Sequence, residues 1–359
     1  MCDEMEKRQQ PSAYLTASPD DPLLNESYTY VKTEFIGKGN KAFARMNTLK
    51  ANIVLSSTPG LDVYQWKRSR EVSWYVHVLH AANEVTLYRM FGLDYYDAIL
   101  VSGEYQISQI RQLEKLRNLP EKEVVMAGLP HLDALRAKLL SAPPVPEHET
   151  TVLLAPSWGP NSIFNKYDNG LIDRLLSTGY HIIVRPHPQT MESEKDLLDS
   201  LMAKYPQSDQ LEWNFDNDNF NVLNRSDILI SDFSGVIFDF TLVFGKPVIY
   251  ADVSFDETPY DSGWLEERPW TFGILGKLGK QLTPENADSI GEIIDYCLHS
   301  EECREGREQA RRETWANIGH SVERIVDYLI DKNNDIQQAK AQNDERGANQ
   351  KRKKAYEAA

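Results

Sequence analysis

Cysteine is scarce in this sequence of 359 residues. The three cysteines, Cys2, Cys297 and Cys303, include no pair at CxxC spacing, and one is left over. Disulfide frameworks and zinc sites both need cysteines in larger, regularly spaced sets. We therefore expect a reduced, cytoplasmic protein with neither structural disulfides nor a zinc site.

Long apolar runs are also missing. The longest, residues 236–250, is interrupted by Asp239 and Lys246 and is shorter than the roughly 20 residues that a membrane-spanning helix needs. The first ten residues are charged and lack the apolar core of a signal peptide. The sequence therefore predicts neither a transmembrane segment nor a secretion signal.

An excess of positive charge is the third absence, because the formal net charge is −15. Binding to nucleic-acid phosphates needs a basic face, so we exclude nucleic acid as a general partner. One basic cluster, residues 351–354, lies in a polar segment that starts at residue 332. We predict that residues 332–359 form a disordered tail, with a peripheral contact to anionic membrane lipid as the alternative.

Short apolar strands alternate with helical patterns along most of the chain, which predicts an α/β fold with mostly parallel sheets. A segment with three prolines, residues 141–150, interrupts this alternation, which then starts again at Val152. We therefore predict an N-terminal domain (residues 1–140), a linker (residues 141–150) and a C-terminal domain (residues 151–331).

Residues 227–252 have the pattern of a strand, a helix and a second strand, with Gly245 at the predicted end of the helix. Ser231, Asp232, Ser234 and Gly235 lie where that helix should begin, and free N–H groups at a helix start suit a phosphate. Asp239 lies one to two turns further on, within reach of ribose hydroxyls. Taken alone, the same pattern also fits an ordinary capped helix.

Polar residues also follow two other predicted strands of the C-terminal domain. Ser157 comes after one strand, and the motif RPHP places Arg185 and His187 after the next. An arginine held by a rigid turn can bind a phosphate with paired hydrogen bonds. Because the carboxyl ends of parallel strands share one edge of a sheet, we expect these residues and Ser231–Gly235 to form one anion-binding site.

His80 ends a predicted strand of the N-terminal domain. Open α/β sheets place their ligands at such ends, although a single histidine there is more often structural. His131, in the segment GLPHLD, is interpreted as part of a loop.

Together these motifs resemble the CDP-glycerol glycerophosphotransferase-like proteins of bacterial surface-polymer synthesis, which include enzymes of teichoic-acid synthesis. The matching segments occur in the family's order over about residues 50–330. They are VHVLH ending at His80, GLPHLD (residues 128–133), APSW (155–158), RPHP (185–188), SDFSG (231–235) and NIGHSVER (317–324).

The resemblance implies a GT-B-like fold, in which two Rossmann-like domains with parallel sheets face a cleft. It also implies transfer of glycerol phosphate, or a related polyol phosphate, from a CDP-linked donor to a hydroxyl of a surface polymer or glycolipid precursor, with release of CMP. His80 matches the catalytic base, although Ala81 replaces the family's glycine. Arg185, His187, Ser231 and Ser234 match residues around the diphosphate, and Asp239 matches an acidic residue near the ribose.

The expected chemistry agrees with these residue types. A histidine suits the removal of a proton from an attacking hydroxyl, and positive charge and hydrogen-bond donors stabilise the leaving CMP. No carboxylate cluster suggests a metal site, so we expect no metal and no cofactor beyond the CDP-glycerol donor. His187 is the second candidate for the base.

Three alternatives remain open at this stage. A GT-B glycosyltransferase that uses a nucleotide sugar, and an isomerase of the nucleotide-sugar 2-epimerase type, would share the fold and much of the phosphate chemistry. A catalytically inactive scaffold is the third, and the presence of His80, Arg185 and His187 argues against it.

Overall fold

The computed structural model describes residues 1–357 except 83, 84, 168, 169, 233, 252–254 and 256, and it describes side chains as far as residue 346. Phe233 of the SDFSG motif and Asp252 therefore lie outside the described residues. No helix within the described residues is long and apolar enough to cross a membrane.

The strands within these residues are β1 (Ser12–Thr16), β2 (Val31–Phe35), β3 (Lys50–Ser56), β4 (Glu71–Val78), β5 (Ala98–Val101), β6 (Glu123–Met126), β7 (Thr151–Leu154), β8 (His181–Val184), β9 (Leu211–Trp213), β10 (Ile228–Ser231), β11 (Val248–Ala251) and β12 (Gly279–Leu282). All of their pairings are parallel. They form a four-stranded sheet in the order β3-β4-β5-β6 and a six-stranded sheet in the order β12-β11-β10-β7-β8-β9. The predicted α/β class with parallel sheets is confirmed, while β1 and β2 form a separate pair.

The α-helices are α1 (Cys2–Lys7), α2 (Asn40–Met46), α3 (Glu104–Arg117), α4 (Pro130–Ser141), α5 (Ile163–Lys166), α6 (Gly170–Ser177), α7 (Pro188–Ser193), α8 (Lys195–Lys204), α9 (Phe220–Arg225), α10 (Val236–Phe238), α11 (Trp270–Leu278), α12 (Ile290–His299), α13 (Glu301–Thr314) and α14 (Ser321–Glu357). A π-helical turn, Asp239–Val243, continues α10 directly. Short 3-10 helices lie at Pro22–Asn25, Val85–Leu87, Asp261–Trp264 and Ala287–Ser289.

Both faces of the central strands are buried. In β10, Ile228 and Ile230 face one apolar core, while Leu229 faces another. Side chains of successive strand residues point to opposite faces, so a strand covered on both sides reads as a continuous apolar run. This is why runs such as residues 228–230 identified the strands correctly.

One apolar core joins the two large sheets. It contains Tyr75 and Ile99 from the four-stranded sheet together with Leu153 and Leu229 from the six-stranded sheet. The two sheets are therefore packed through shared side chains in addition to their chain connection.

The packing of helix α14 does not follow the predicted domain boundary at residue 331. Ile325 and Leu329 of this helix pack with Val76, Ala98 and Leu100 of the four-stranded sheet. The last helix thus covers the sheet of the N-terminal half, although the sequence pattern assigned residues up to 331 to the C-terminal domain.

The structure places residues 332–357 in helix α14, although they were predicted to be disordered, and residues 358 and 359 lie outside the described residues. Asn52 of β3 donates to Asn333 Oδ1 (2.8 Å) and accepts from Lys340 Nζ (2.7 Å). A helix that has been nucleated by packed residues extends easily through good helix formers such as alanine, glutamine and lysine. The absence of an apolar period after Lys332 did not reveal this extension.

The motifs GLPHLD and NIGHSVER are bound to each other through Asp133 of α4. Its carboxylate accepts hydrogen bonds from Trp315 Nε1 (2.9 Å), from the backbone N–H of Gly319 (2.8 Å) and from the N–H (3.0 Å) and hydroxyl of Ser321. Gly128 has φ +101°, and a Cβ there would lie 2.4 Å from the carbonyl oxygen of Ala316. These motifs therefore form the joint that directs α14 back to the N-terminal half.

A buried ion network forms a second joint. Arg117 of α3 contacts Asp94 (2.7 Å) and Asp261 (2.5 Å), and the three side chains are 5%, 9% and 1% exposed. The guanidinium lies between the rings of Phe91 and Trp264, 4.8 and 4.9 Å from their centroids. The 3-10 helix that begins at Asp261 is thereby fixed to residues 91–94 of the N-terminal half.

His131 and Asp239 form a third contact between the halves. His131 lies in the first turn of α4, so it belongs to a helix and the loop interpretation was wrong. Its Nε2 lies 3.3 Å from the Asp239 carboxylate. The hydrogen bond to Asp239 raises the pKa of His131, although burial acts in the opposite direction.

We expect the substitution Asp133→Asn to lower the free energy of unfolding by about 2–4 kcal/mol. The amide keeps one acceptor oxygen but directs an NH₂ group at the two donors of Ser321. Denaturant unfolding would measure the loss, with the exposed Asp331→Asn as a matched control that should change stability little. Equal stability of the two variants would show that the Asp133 joint is unimportant.

The His131–Asp239 contact should stabilise the protein in a pH-dependent way. Because the pKa of His131 is raised in the folded state, its stabilisation is complete below the unfolded pKa and is lost as the pH rises through the folded pKa. The His131 side chain is 48% exposed, so we expect Asp239→Asn to cost about 0.5–1 kcal/mol near pH 5.5 and almost nothing near pH 9. Unfolding curves at both pH values would test this, and His131→Gln should give the same difference. A cost that is independent of pH would contradict the assignment.

Candidate active site

Three adjacent strands end at one edge of the six-stranded sheet. β10 pairs with β7, and β7 pairs with β8. Ser157 follows β7, Arg185 and His187 follow β8, and Ser231 ends β10. The structure therefore brings together the strand-end residues that the sequence predicted to converge.

Asp232 has a role in shaping this edge. Its carboxylate accepts from the backbone N–H of Ser157 (3.0 and 3.1 Å to the two oxygens) and from that of Ile163 (3.2 Å). Asp232 is only 2% exposed. Asp232 therefore holds the loop after β7 in position, whereas its place in the sequence predicts a role in substrate binding.

Two serines at this edge differ in what their hydroxyls can do. The Ser231 hydroxyl donates to the carbonyl oxygen of Ala155 (2.7 Å), so it has no hydrogen left to give to a phosphate. The Ser157 hydroxyl is buried and has no hydrogen-bond partner among the described residues. A buried polar group without a partner costs about 1–3 kcal/mol, so the Ser157 hydroxyl fits a group that donates to a bound anion.

The guanidinium of Arg185 is oriented by two hydrogen bonds to the segment after β9. Its Nη1 donates to Asn214 Oδ1 (2.5 Å), and its Nη2 donates to the carbonyl oxygen of Asp216 (2.7 Å). Burial lowers the pKa of Arg185, although nearby Asp216 and Asp218 act in the opposite direction. Two of the five guanidinium N–H groups are used in these bonds, so the side chain is oriented while keeping donors for a ligand.

His187 caps helix α7. Its Nδ1 accepts from the backbone N–H of Gln189 (3.1 Å), so in the neutral ring the proton is on Nε2. Burial lowers the pKa of His187, which favours this neutral form. A histidine in this tautomer donates a hydrogen bond through Nε2, and that arrangement argues against His187 as the second candidate base.

The helix after β10 begins later than the sequence predicted. Gly235 is its N-cap residue, and α10 starts at Val236. Ser234 lies before it, where its carbonyl oxygen accepts from the N–H of Ile237 (3.2 Å). Asp239 opens the π-helical turn and already contacts His131, so a ribose at Asp239 would share the carboxylate with that ring.

His80 follows β4 at the carboxyl edge of the four-stranded sheet and is exposed. Its Nδ1 lies 3.2 Å from the carbonyl oxygen of Ser57 and 3.5 Å from the hydroxyl of Tyr88. A carbonyl oxygen only accepts, so Nδ1 carries the proton and Nε2 keeps its lone pair. This is the tautomer that a base acting through Nε2 requires.

The contact of His131 and the position of Tyr88 beside His80 were not predicted from the sequence. His131 contacts a residue 108 positions away, and Tyr88 lies eight positions beyond His80 in an irregular segment. Tyr88 belongs to no short motif or apolar period, and the motif GLPHLD, which contains His131, does not indicate the partner of that histidine. The sequence did contain one sign of a histidine pair near the base, because the HxxH spacing places His77 and His80 together at the end of one strand.

Several solved structures share this fold. The wall teichoic acid polymerase TagF is similar with a TM-score of 0.53 and 15% identity, over 94% of this chain and 84% of that one. The MnaA–UDP structure from S. aureus gives a TM-score of 0.56 and 13% identity, over 89% of this chain and 96% of that one. The UDP-GlcNAc 2-epimerase of Methanocaldococcus jannaschii gives 0.52 and 14%, over 89% and 90%. These similarities confirm the GT-B-like fold.

A comparison with curated proteins finds no match. The profile of one family, CDP-glycerol:poly(glycerophosphate) glycerophosphotransferase, matches residues 82–331. The match includes Ser157, Arg185, His187 and residues 231–239, and it begins two residues after His80. It favours transfer of glycerol phosphate to a surface polymer over the glycosyltransferase and epimerase alternatives. Because it covers well over half of the chain, the protein belongs to the CDP-glycerol:poly(glycerophosphate) glycerophosphotransferase family and is a transferase of that class.

Proposed function

We propose that this transferase uses His80 as its general base and the β7, β8 and β10 strand ends as its donor site. The reaction moves glycerol phosphate from CDP-glycerol to an acceptor hydroxyl and releases CMP. The observation that carries the proposal is the convergence of Ser157, Arg185 and His187 at one sheet edge. These three residues present hydrogen-bond donors suited to a diphosphate.

Each bond change has a candidate residue. The acceptor hydroxyl gives its proton to Nε2 of His80 while its oxygen bonds to the phosphorus that carries glycerol. The bond from that phosphorus to the bridging oxygen breaks, and CMP leaves with the electron pair. Arg185, His187 Nε2 and the Ser157 hydroxyl would stabilise the negative charge that grows on the diphosphate oxygens.

The remaining site residues support the donor in different ways. Asp232 and Ser231 fix the loops through backbone and carbonyl contacts, so we assign them to the shape of the site. Ser234 and Gly235 precede the helix start, and their carbonyl oxygens accept from the N–H groups of Ile237 and Phe238, so we assign them to the shape of the site as well. Asp239 is the candidate contact for the ribose, in competition with His131. No metal or cofactor is part of this proposal.

The acceptor is proposed to be a hydroxyl of a surface polymer or glycolipid precursor. Such acceptors lie at a membrane, so we propose a cytoplasmic protein that contacts the inner membrane face. The basic residues 351–354 would supply an attraction of about 1 kcal/mol per charge to anionic lipid.

The donor site should select cytidine nucleotides. We expect CDP-glycerol and CMP to raise the melting temperature of the full-length chain. UMP is the matched control for CMP, because the two differ only in the base. At a ligand concentration of about 100 Kd, the stabilisation should reach about 2.7 kcal/mol. Stronger stabilisation by UMP or UDP-GlcNAc would favour the glycosyltransferase or epimerase alternative instead.

The base and the donor ligands should separate kinetically. His80→Ala should slow single turnover by about 10²–10⁴-fold while leaving the dissociation constant of CDP-glycerol nearly unchanged. Arg185→Ala should weaken donor binding as well as turnover, because its charge acts in both the ground state and the transition state. Calorimetry and rapid-quench measurements would give both quantities.

Two exposed residues serve as matched controls for this pair. His299→Ala and Arg312→Ala lie on α12 and α13 and should leave both quantities unchanged. Full turnover in His80→Ala would remove His80 from the mechanism. Equal loss of donor binding in the His80 and Arg185 variants would assign His80 to the nucleotide.

A further inference from the structure

His80 lies against Tyr88, an aromatic residue to which neither the family match nor the motifs assign a role. The ring of Tyr88 stacks on the imidazole of His80, with centroids 5.9 Å apart and planes inclined by 23°. The Tyr88 hydroxyl lies 3.5 Å from His80 Nδ1 and 3.2 Å from His77 Nε2. One hydroxyl thus lies between two imidazoles.

The hydrogen-bond directions in this group follow from Ser57. Since Nδ1 of His80 donates to the Ser57 carbonyl oxygen, it carries a hydrogen, and the Tyr88 oxygen can only accept from it. The hydroxyl hydrogen of Tyr88 is then free to point to Nε2 of His77, which accepts. Donors and acceptors alternate consistently from His80 through Tyr88 to His77.

A neutral His77 can accept at Nε2 when its hydrogen is on Nδ1, which is buried and has no hydrogen-bond partner among the described residues. Its side chain is fully buried in β4, and burial, with a smaller contribution from nearby His80, lowers its pKa to about 3. A protonated His77 would donate from Nε2 and would turn the Tyr88 hydroxyl towards His80. Burial also raises the pKa of Tyr88, so its hydroxyl keeps its hydrogen at neutral pH.

The backbone at Tyr88 is held by the C-terminal half. The Tyr88 carbonyl oxygen accepts from the N–H of Asp261 (3.0 Å), and the N–H of Met90 donates to the carbonyl oxygen of Pro259 (3.1 Å). Arg89 and Tyr260 form an antiparallel bridge between these two contacts. The backbone at Tyr88 is therefore held beside His80 by contacts from outside β4, the strand that His80 follows.

We propose that Tyr88 is a positioning residue that, together with His77, acts beside the Ser57 carbonyl to hold His80 in the tautomer whose Nε2 lone pair is available to the acceptor hydroxyl. The inference rests on the proposed role of His80 as the base. Residues that orient a metal-bound histidine through its second nitrogen contribute about 10–100-fold to activity, and we expect an effect of the same order for a histidine that acts as a base.

The test begins with Tyr88→Phe, which keeps the ring and removes the hydroxyl. We expect kcat to fall about 10–100-fold, with the dissociation constant of CDP-glycerol unchanged. Imidazole nitrogen chemical shifts, measured by NMR, should show His80 protonated at Nδ1 in the unmodified protein and a larger share of the opposite tautomer in the variant, where the Ser57 carbonyl remains as the acceptor. Tyr75→Phe is the matched control, because it removes a buried hydroxyl from β4 that bonds to Ser69 instead.

His77→Phe gives a second, independent variant. It removes the acceptor for the Tyr88 hydroxyl, which should then donate to Nδ1 of His80 and favour the opposite tautomer, with a similar fall in kcat. Unchanged tautomers and full turnover in both variants would overturn the proposal, as would a loss of donor binding that equals the loss of turnover.

The NMR measurement also separates this inference from the function on which it rests. If the tautomer changes in Tyr88→Phe but His80→Ala is fully active, Tyr88 orients an imidazole that is not the base. The role of His80 as the base and the role of Tyr88 in catalysis would then both be rejected. A slow His80→Ala variant with an unchanged tautomer in both Tyr88→Phe and His77→Phe would reject Tyr88 alone.

Discussion

The carboxylate of Asp133 is the constraint on which the arrangement of the halves depends. It binds donors from residues 315–321 at the point where the chain leaves α13 and enters α14. Several charge-assisted hydrogen bonds on one carboxylate fix a direction as well as a distance. The direction set here sends α14 across the four-stranded sheet, so the two halves are connected both through residues 142–150 and through this returning helix.

The Arg117 network has a different physical character. Burying an ion pair costs desolvation energy that the attraction between the charges only partly offsets, so such a network contributes little net stability and can instead select one arrangement. Burial raises the pKa of Asp261 even though Arg117 acts in the opposite direction. In the arrangement selected in this way, residues 259–261 of the C-terminal half lie against residues 88–90, next to His80.

The strands and the strand-end residues could be predicted because they depend on local patterns. A buried parallel strand gives a continuous apolar run, and the residues that follow it must lie at the carboxyl edge. The partners of those residues could not be predicted, because they come from other strands. Ser231 and Asp232 form contacts with Ala155 and Ser157, about 75 positions earlier. Because of these contacts, both residues hold the neighbouring loop in place. The family resemblance identified the chemistry, but it could not reveal the His131–Asp239 contact.

The position of α14 has a consequence for how the chain acquires its structure during synthesis. One face of the four-stranded sheet is completed by Ile325 and Leu329, which the ribosome adds more than 200 residues after Leu100. At about 5–20 residues per second, this face remains without its cover for roughly 10–45 s. The N-terminal half therefore cannot finish folding as it emerges, and its uncovered apolar surface is a natural binding site for a ribosome-associated chaperone during that interval.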